Sequence, residues 1–290
     1  MKIKGIEKFR EKVPIFSGKK ILFFPMYAIC IASLCILTIT RIYSIPDMPE
    51  SSSINPILLS LLPLIGVSLV GAVGLILVYQ MWFWKKVLRA KYGLLSLQHI
   101  FLVGLTGITC LISLSFNLYI HYWLFSPIFW TTSPLKFLAT PLEVYFHAIG
   151  SAVFLGRMTL SLLCLVLGIT MMIRSIQTFG IDYMTLVYLY FPEESKLRDH
   201  KIYSVLRHPT YTAALVLGLG GMFSTFTLYS IIFFIIELSA FYIHVHFVEE
   251  KELIERFGPS YQEYMKKVPA FFVKADKLGT FLGFLAGKTR

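Results

Sequence analysis

The chain is poor in charge. Only 15% of its 290 residues are Asp, Glu, Lys or Arg, against about 25% in a soluble domain. That scarcity excludes an ordinary soluble globular protein of this length. Familiar enzyme signatures are missing as well: no H-E-x-x-H, no P-loop, no G-x-G-x-x-G after a strand and no zinc spacing. The four cysteines, Cys30, Cys35, Cys110 and Cys164, form no C-x-x-C pair and all lie in apolar stretches. They read as small packing residues rather than a disulfide frame or a metal site. Internal repeats and low-complexity tracts are absent, and nothing marks off a separate soluble domain.

What the chain has in quantity is apolar sequence. Hydrophobic residues make up 56%, and the mean hydropathy is +0.70. Several runs exceed the roughly 18 residues that carry a helix across a bilayer. The expected class is an all-α polytopic membrane helical bundle with about six transmembrane helices. The spans fall near 21–40, 57–84, 94–123, 142–173, 211–226 and 228–248. Pro46, Pro49 and Pro56 mark a first outer loop, and Pro127, Pro134 and Pro141 a second. The fifth span is short, and it meets the sixth in a hairpin with almost no loop, around Ser224–Thr227. A division follows, with a four-span bundle over 1–173 and a carboxyl-terminal region over 174–290.

The formal net charge is +11, which in a soluble protein would suggest nucleic acid. Here it has a topological cause. Of the 27 Lys and Arg, all but Arg41, Lys136 and Arg157 lie in the segments 1–20, 85–91, 174–207 and 251–290. In a six-span topology these segments share one side, so both termini are expected in the cytoplasm, with no nucleic-acid partner. The basic lead precedes the first span without a small-residue cleavage site, the mark of a retained span.

Polar residues concentrate in two places. The first is Tyr203-Ser204-Val205-Leu206-Arg207-His208-Pro209-Thr210-Tyr211. The second, beyond the apolar hairpin, is Glu249-Glu250, followed by Leu253-Ile254, Phe257-Gly258, Tyr261 and Tyr264. Pro209 suits the first turn of the fifth span, where a missing N–H costs nothing. The free N–H groups of that turn form a site for a carboxylate or phosphate. His208 and Tyr211 flank it, and Glu249 and Glu250 return to the same level. An anion at a helix start and a cation near carboxylates and aromatic rings are the parts of a zwitterion site. The plain alternatives are a basic turn capping a span and a solvated helix start. From Glu249 to Val268 an apolar stripe of Leu253, Ile254, Phe257, Tyr261, Tyr264 and Val268 makes the segment amphipathic. It is expected as a carboxyl-terminal interfacial helix, or folded back as a lid.

Arg-His-Pro-x-Tyr preceded by Tyr, then the hairpin, Glu-Glu, Leu-Ile, Phe-Gly and Tyr-x-x-Tyr, together resemble the isoprenylcysteine carboxyl methyltransferase and phospholipid methyltransferase family of integral membrane enzymes. The resemblance spans roughly 175–270. It implies S-adenosyl-L-methionine bound at the cytoplasmic face and a lipophilic small-molecule or lipidated acceptor entering from the bilayer. Carried over by position, Tyr203, His208, Pro209, Thr210, Tyr211 and Glu249 line the cofactor pocket, and Ser195-Lys196-Leu197-Arg198 matches a loop that covers it. Two positions depart from the family. Ala213 replaces a common Gly. Val245, between His244 and His246, stands where the prenylcysteine enzymes carry the Arg that holds the substrate carboxylate. That departure argues against a prenylcysteine carboxylate and leaves methyl transfer open. An amine acceptor needs a base to remove a proton, and His244, His246 and Glu250 are the candidates. His244 and His246 point to opposite sides of a helix, a poor metal pair.

Two charges fall inside spans, where they are expensive. Arg157 shares a face with Glu143 and His147, and Glu237 shares one with His244. A pairing of Arg157 with Glu237 between the fourth and sixth spans is the structural expectation. These intramembrane charges also motivate a transporter as an alternative function. A reductase related to the sterol reductases, using NADPH, is another.

Overall fold

Lipid offers no partner to a backbone N–H or C=O, so an apolar chain must satisfy these groups within its own helices. The computed structural model describes residues 4–16, 18–44, 56–124, 136–146, 149–180 and 187–288. Every regular element among them is helical. The principal helices are α1 (Ile6–Lys12), α2 (Phe23–Ser44), α3 (Pro56–Tyr92), α4 (Ser96–Leu124) and α5 (Gly150–Phe179), then α6 (Pro209–Thr225), α7 (Leu228–His244), α8 (Glu250–Phe257), α9 (Pro259–Lys267) and α10 (Leu278–Leu285). Pro46, Pro49, Pro127, Pro134 and His147 lie outside the described residues.

Four segments are long and apolar enough to cross a membrane: Lys20–Thr38, Ile65–Phe116, Gly150–Phe179 and Leu228–Phe257. The second has 52 residues. As one rod it would measure about 78 Å, against a hydrocarbon core of about 30 Å. It folds instead at Gly93, whose φ is +55°, so that α3 and α4 lie side by side. Their backbones touch: a Cβ on Gly107 would sit 2.8 Å from the Gly74 carbonyl oxygen. Helix α6 has 17 residues, about 25 Å, and is shorter than the core it packs in. The fourth expected span is displaced. Leu142–Tyr145 is a separate 3-10 turn, and the helix runs Gly150–Phe179.

The basic segments meet at one end of the bundle. Phe9 of α1 packs with Met81, Leu97, Phe101, Tyr190 and Phe191. Lys12 pairs with Glu194 at 2.5 Å, Lys4 donates to the Thr178 carbonyl at 2.5 Å, and Arg89 pairs with Glu193. Arg174 Nε donates to the Leu285 carbonyl at 3.0 Å, which ties α10 to the end of α5.

The opposite end holds the α6–α7 turn. Phe226 adopts the left-handed conformation, with φ +47°, and its N–H closes α6 on Met222. Thr227 and Ser230 form a capping box that starts α7. Leu142 N–H donates to the Phe226 carbonyl at 2.8 Å, pinning the turn.

The expected Arg157–Glu237 pair does not form. Arg157 reaches Glu143 Oε1 through Nη2 at 2.5 Å and Nε at 2.9 Å, and its Nη1 donates to the carbonyls of Phe223 and Ser224 at the end of α6. Glu237 turns to α4 instead, where Ser115 donates to it at 2.6 Å. Gly218 makes the room: a Cβ there would lie 1.9 Å from Glu237 Oε2. Helical spacing identified the faces these charges share, but not the neighbours those faces meet.

The carboxyl-terminal stripe is split at Gly258, with φ +58°, and Pro259 starts α9. Its residues pack inward: Tyr261, Tyr264 and Val268 form a cluster with Leu253, Ile254, Phe257, Met265 and Leu197. The chain after α9 then returns across the front of α6.

Candidate active site

The site begins with the proline that starts α6. A residue preceding proline is pushed out of the helical region, and His208 sits at φ −119°, ψ 62°. Its N–H is taken by the Ala270 carbonyl at 3.2 Å, and that of Arg207 by the Pro269 carbonyl at 2.9 Å. The returning chain therefore fixes both side chains. His208 is 4% exposed.

Helix α7 supplies the acids through an irregular turn. Residues Val245–Glu249 wind as a single π-helical turn, in which the Glu250 N–H reaches back to the Val245 carbonyl. Such turns are often found at functional positions. The turn sets two consecutive carboxylates on the two nitrogens of one imidazole. Glu249 Oε1 lies 3.6 Å from His208 Nδ1, and Glu250 Oε1 lies 3.2 Å from Nε2. Glu250 also receives Arg207 Nη2 at 2.6 Å. Arg207 Nη1 donates to the Met265 carbonyl at 2.9 Å. Burial alone would lower the His208 pKa, but the two carboxylates outweigh it and raise it to about 9. The ring is a cation at neutral pH.

Aromatic rings enclose this cluster. Tyr211 meets His208, Phe241 and His244 with ring centroids 5.9, 5.4 and 5.8 Å apart, and its hydroxyl bonds Glu249. Phe271, on the returning chain, faces both His208 and His246. Tyr203 is buried against Phe179 at 4.5 Å, and its carbonyl accepts from the Tyr264 hydroxyl at 2.5 Å. Burial, with Tyr264 and Glu249 adding to it, holds the Tyr203 phenol well above its ordinary pKa.

The structure thus brings Tyr203, His208, Pro209, Thr210, Tyr211 and Glu249 to one place, where α6 begins and the π turn ends. The loop Ser195-Lys196-Leu197-Arg198 lies on the carboxyl-terminal hairpin. Leu197 packs into the Tyr261–Tyr264 cluster, and Arg256 donates to Ser195 Oγ at 3.3 Å. The three expected bases differ in setting. Glu250 is 4% exposed and engaged by Arg207 and His208. His244 is exposed and turned toward Tyr211. His246 stacks on Tyr242 at 4.2 Å, and its Nδ1 lies 3.1 Å from the Tyr242 carbonyl. A carbonyl only accepts, so the proton sits on Nδ1 and Nε2 is the basic nitrogen.

Sequence reasoning missed three members. Arg207 stood inside the motif, and its charge beside two glutamates was a signal for the ion pair. Phe241 lies one turn before Val245 and carried the same helical signal as its neighbours. Phe271 carried none, because only the return of the chain at Pro269 brings it there.

One buried polar atom in this cluster stays free among the described residues: Glu249 Oε2 has no hydrogen-bond partner. A buried carboxylate oxygen without a donor costs free energy unless something binds there. A family model described as phospholipid methyltransferase matches residues 156–260. This segment belongs to that family of integral membrane methyltransferases. The match begins within α5 and ends at the start of α9, and so contains both polar clusters and the hairpin between them. Members of the family are methyltransferases that use S-adenosylmethionine, and this favours methyl transfer over transport or NADPH-dependent reduction. No curated protein and no solved structure matches the chain.

Proposed function

We propose that the chain is an S-adenosylmethionine-dependent methyltransferase of a lipophilic acceptor that arrives from the bilayer. The observation that carries this reading is the free, buried Glu249 Oε2 beside the opening turn of α6. The first N–H groups of a helix have no partner of their own, and Pro209 has none to offer. These N–H groups suit the carboxylate of the cofactor. Glu249 and the Tyr211 ring suit its cationic part, and His208 and Tyr203 complete the wall. The donor set therefore fits a zwitterionic nucleoside. When bound, that group supplies an electrophilic methyl, and the chain's own task is alignment and exclusion of water. Holding two reactants in line contributes on the order of 7–11 kcal/mol to such a reaction. The loop 195–198 and the hairpin α8–α9 serve as the cover.

The buried Val245 leaves no cation to hold an acceptor carboxylate, so the reading favours an acceptor amine or thiol over a prenylcysteine carboxylate. His244, and Nε2 of His246, are the bases that take its proton. Glu250 holds Arg207 and His208 in place. Folded α3 and α4, with the short α6, bring the crossings to six, and the basic end faces the cytoplasm by the distribution of Lys and Arg. Residues 1–173 serve as a bundle that supports the catalytic region 174–290.

Calorimetry with S-adenosylmethionine tests the site. Glu249→Gln keeps the shape and the Tyr211 contact but removes the charge. The expected result is at least tenfold weaker binding with the thermal midpoint nearly unchanged. Equal affinity in the variant and the parent would overturn the assignment of Glu249. Labelled methyl donor with a total lipid extract then identifies the acceptor.

A further inference from the structure

Away from the His208 cluster, a cavity with about 380 Å³ of empty space opens at the basic end. It is lined by Arg174, Gln177, Thr178, Lys201, Ile202, Phe284, Gly287 and Lys288. Its three cations come from stretches far apart in sequence: the last turn of α5, the 3-10 turn before α6, and the chain beyond α10. Topology requires basic residues on this side of the membrane, but it does not require them to converge on one cavity. Among the described residues no Asp or Glu lies within ion-pair distance of Arg174, Lys201 or Lys288.

The cations are held in place. Arg174 is tethered through Nε to the Leu285 carbonyl at 3.0 Å and through Nη1 to Gln177 at 2.9 Å. Its Nη2 has no hydrogen-bond partner among the described residues. Lys201 is one of two non-glycine residues described with positive φ, at +55°, a conformation that costs energy and is retained where the surroundings impose it. Like charges gathered at a fixed site repel unless an anion joins them. The walls also supply an apolar border: Ile169 and Ile173 on α5 and Leu278 and Leu282 on α10 are each more than two-fifths exposed. A basic cavity bordered by exposed aliphatic side chains at a membrane interface has the character of a lipid headgroup site.

We propose that this cavity binds a phosphate group, with Arg174, Lys201 and Lys288 as its ligands, at a place separate from methyl transfer. The phosphate belongs either to an anionic lipid or to free phosphate. The test uses the full chain in detergent, titrated with dioctanoyl phosphatidic acid, dioctanoyl phosphatidylcholine and inorganic phosphate, with the thermal midpoint as readout. A saturable rise with phosphatidic acid alone assigns a lipid headgroup. The same rise with inorganic phosphate assigns the free anion. Each surface Lys contributes about 1 kcal/mol to lipid binding, so Lys201→Gln with Lys288→Gln should weaken it roughly thirtyfold. If phosphatidylcholine gives the same rise as phosphatidic acid, or the double variant responds as the parent does, the proposal is overturned. Binding of S-adenosylmethionine, measured alongside, is expected to stay unchanged in the double variant. Failure here therefore leaves the reading of the His208 cluster standing.

Discussion

Helix α6 ends in a charge cluster on each side, and the two clusters are built differently. At its carboxyl end the guanidinium of Arg157 caps the carbonyls of Phe223 and Ser224 and pairs with Glu143. That cation does not titrate, and it completes the helix. At its amino end the cation between two carboxylates is His208, which titrates, and Glu249 keeps a free oxygen. The first cluster closes a turn. The second keeps binding capacity at the start of a helix whose N–H groups are also unspent. A buried charge marks a functional site by the partners it still lacks, not by its burial.

The comparison can be broken most forcefully at Arg157. Arg157→Met leaves Glu143 buried without its cation and two carbonyls uncapped. We expect a loss on the order of 3–5 kcal/mol in stability, seen as a lowered thermal midpoint, while the folded fraction binds S-adenosylmethionine as before. A variant that is stable but cannot bind would reverse the roles assigned to the two ends.

A pH titration gives the next effect. His208 has a folded pKa of about 9, above the unfolded value of about 6.5. Its stabilisation is fully present below about pH 6.5 and is lost as the pH rises through about 9. The span of this loss is on the order of 3 kcal/mol. In His208→Gln the thermal midpoint should become nearly flat over that window, and Arg157→Met should keep the parent's slope. A slope that survives in His208→Gln would assign the titration elsewhere.

The smallest effect concerns the cover. Tyr264→Phe removes the hydrogen bond to the Tyr203 carbonyl. It should cost about 1 kcal/mol and raise susceptibility to proteolysis at the α8–α9 hairpin, leaving the Arg157 end unaffected.

Much of this could be read before folding. The α6–α7 hairpin, Pro209 as the first residue of α6, and the meeting of His208 with Glu249 and Glu250 followed from composition, proline chemistry and helix length. Arg157 and Glu237 show the limit. Periodicity assigns a residue to a face, but Glu143 reached Arg157 only because Leu142–Tyr145 is a separate turn pinned to Phe226. Glu237 was drawn to Ser115 by space left at Gly218. Phe271 and the inward packing of Tyr261 and Tyr264 depended on the return of the chain at Pro269, a long-range contact without a local signal. The π turn was invisible for a related reason: its residues are ordinary helix formers, and the extra residue in the turn is imposed by what the carboxylates must reach.

That extra residue makes the length of α7 a coded quantity. Everything beyond Val245 is indexed one position late relative to regular winding. Deleting Val248 would restore the ordinary pitch and rotate Glu250 by about 100°, away from Arg207 and His208, without altering a single charged side chain. A one-residue deletion at a lipid-facing valine should therefore be as damaging as removing the acid itself, whereas Val248→Leu should pass unnoticed.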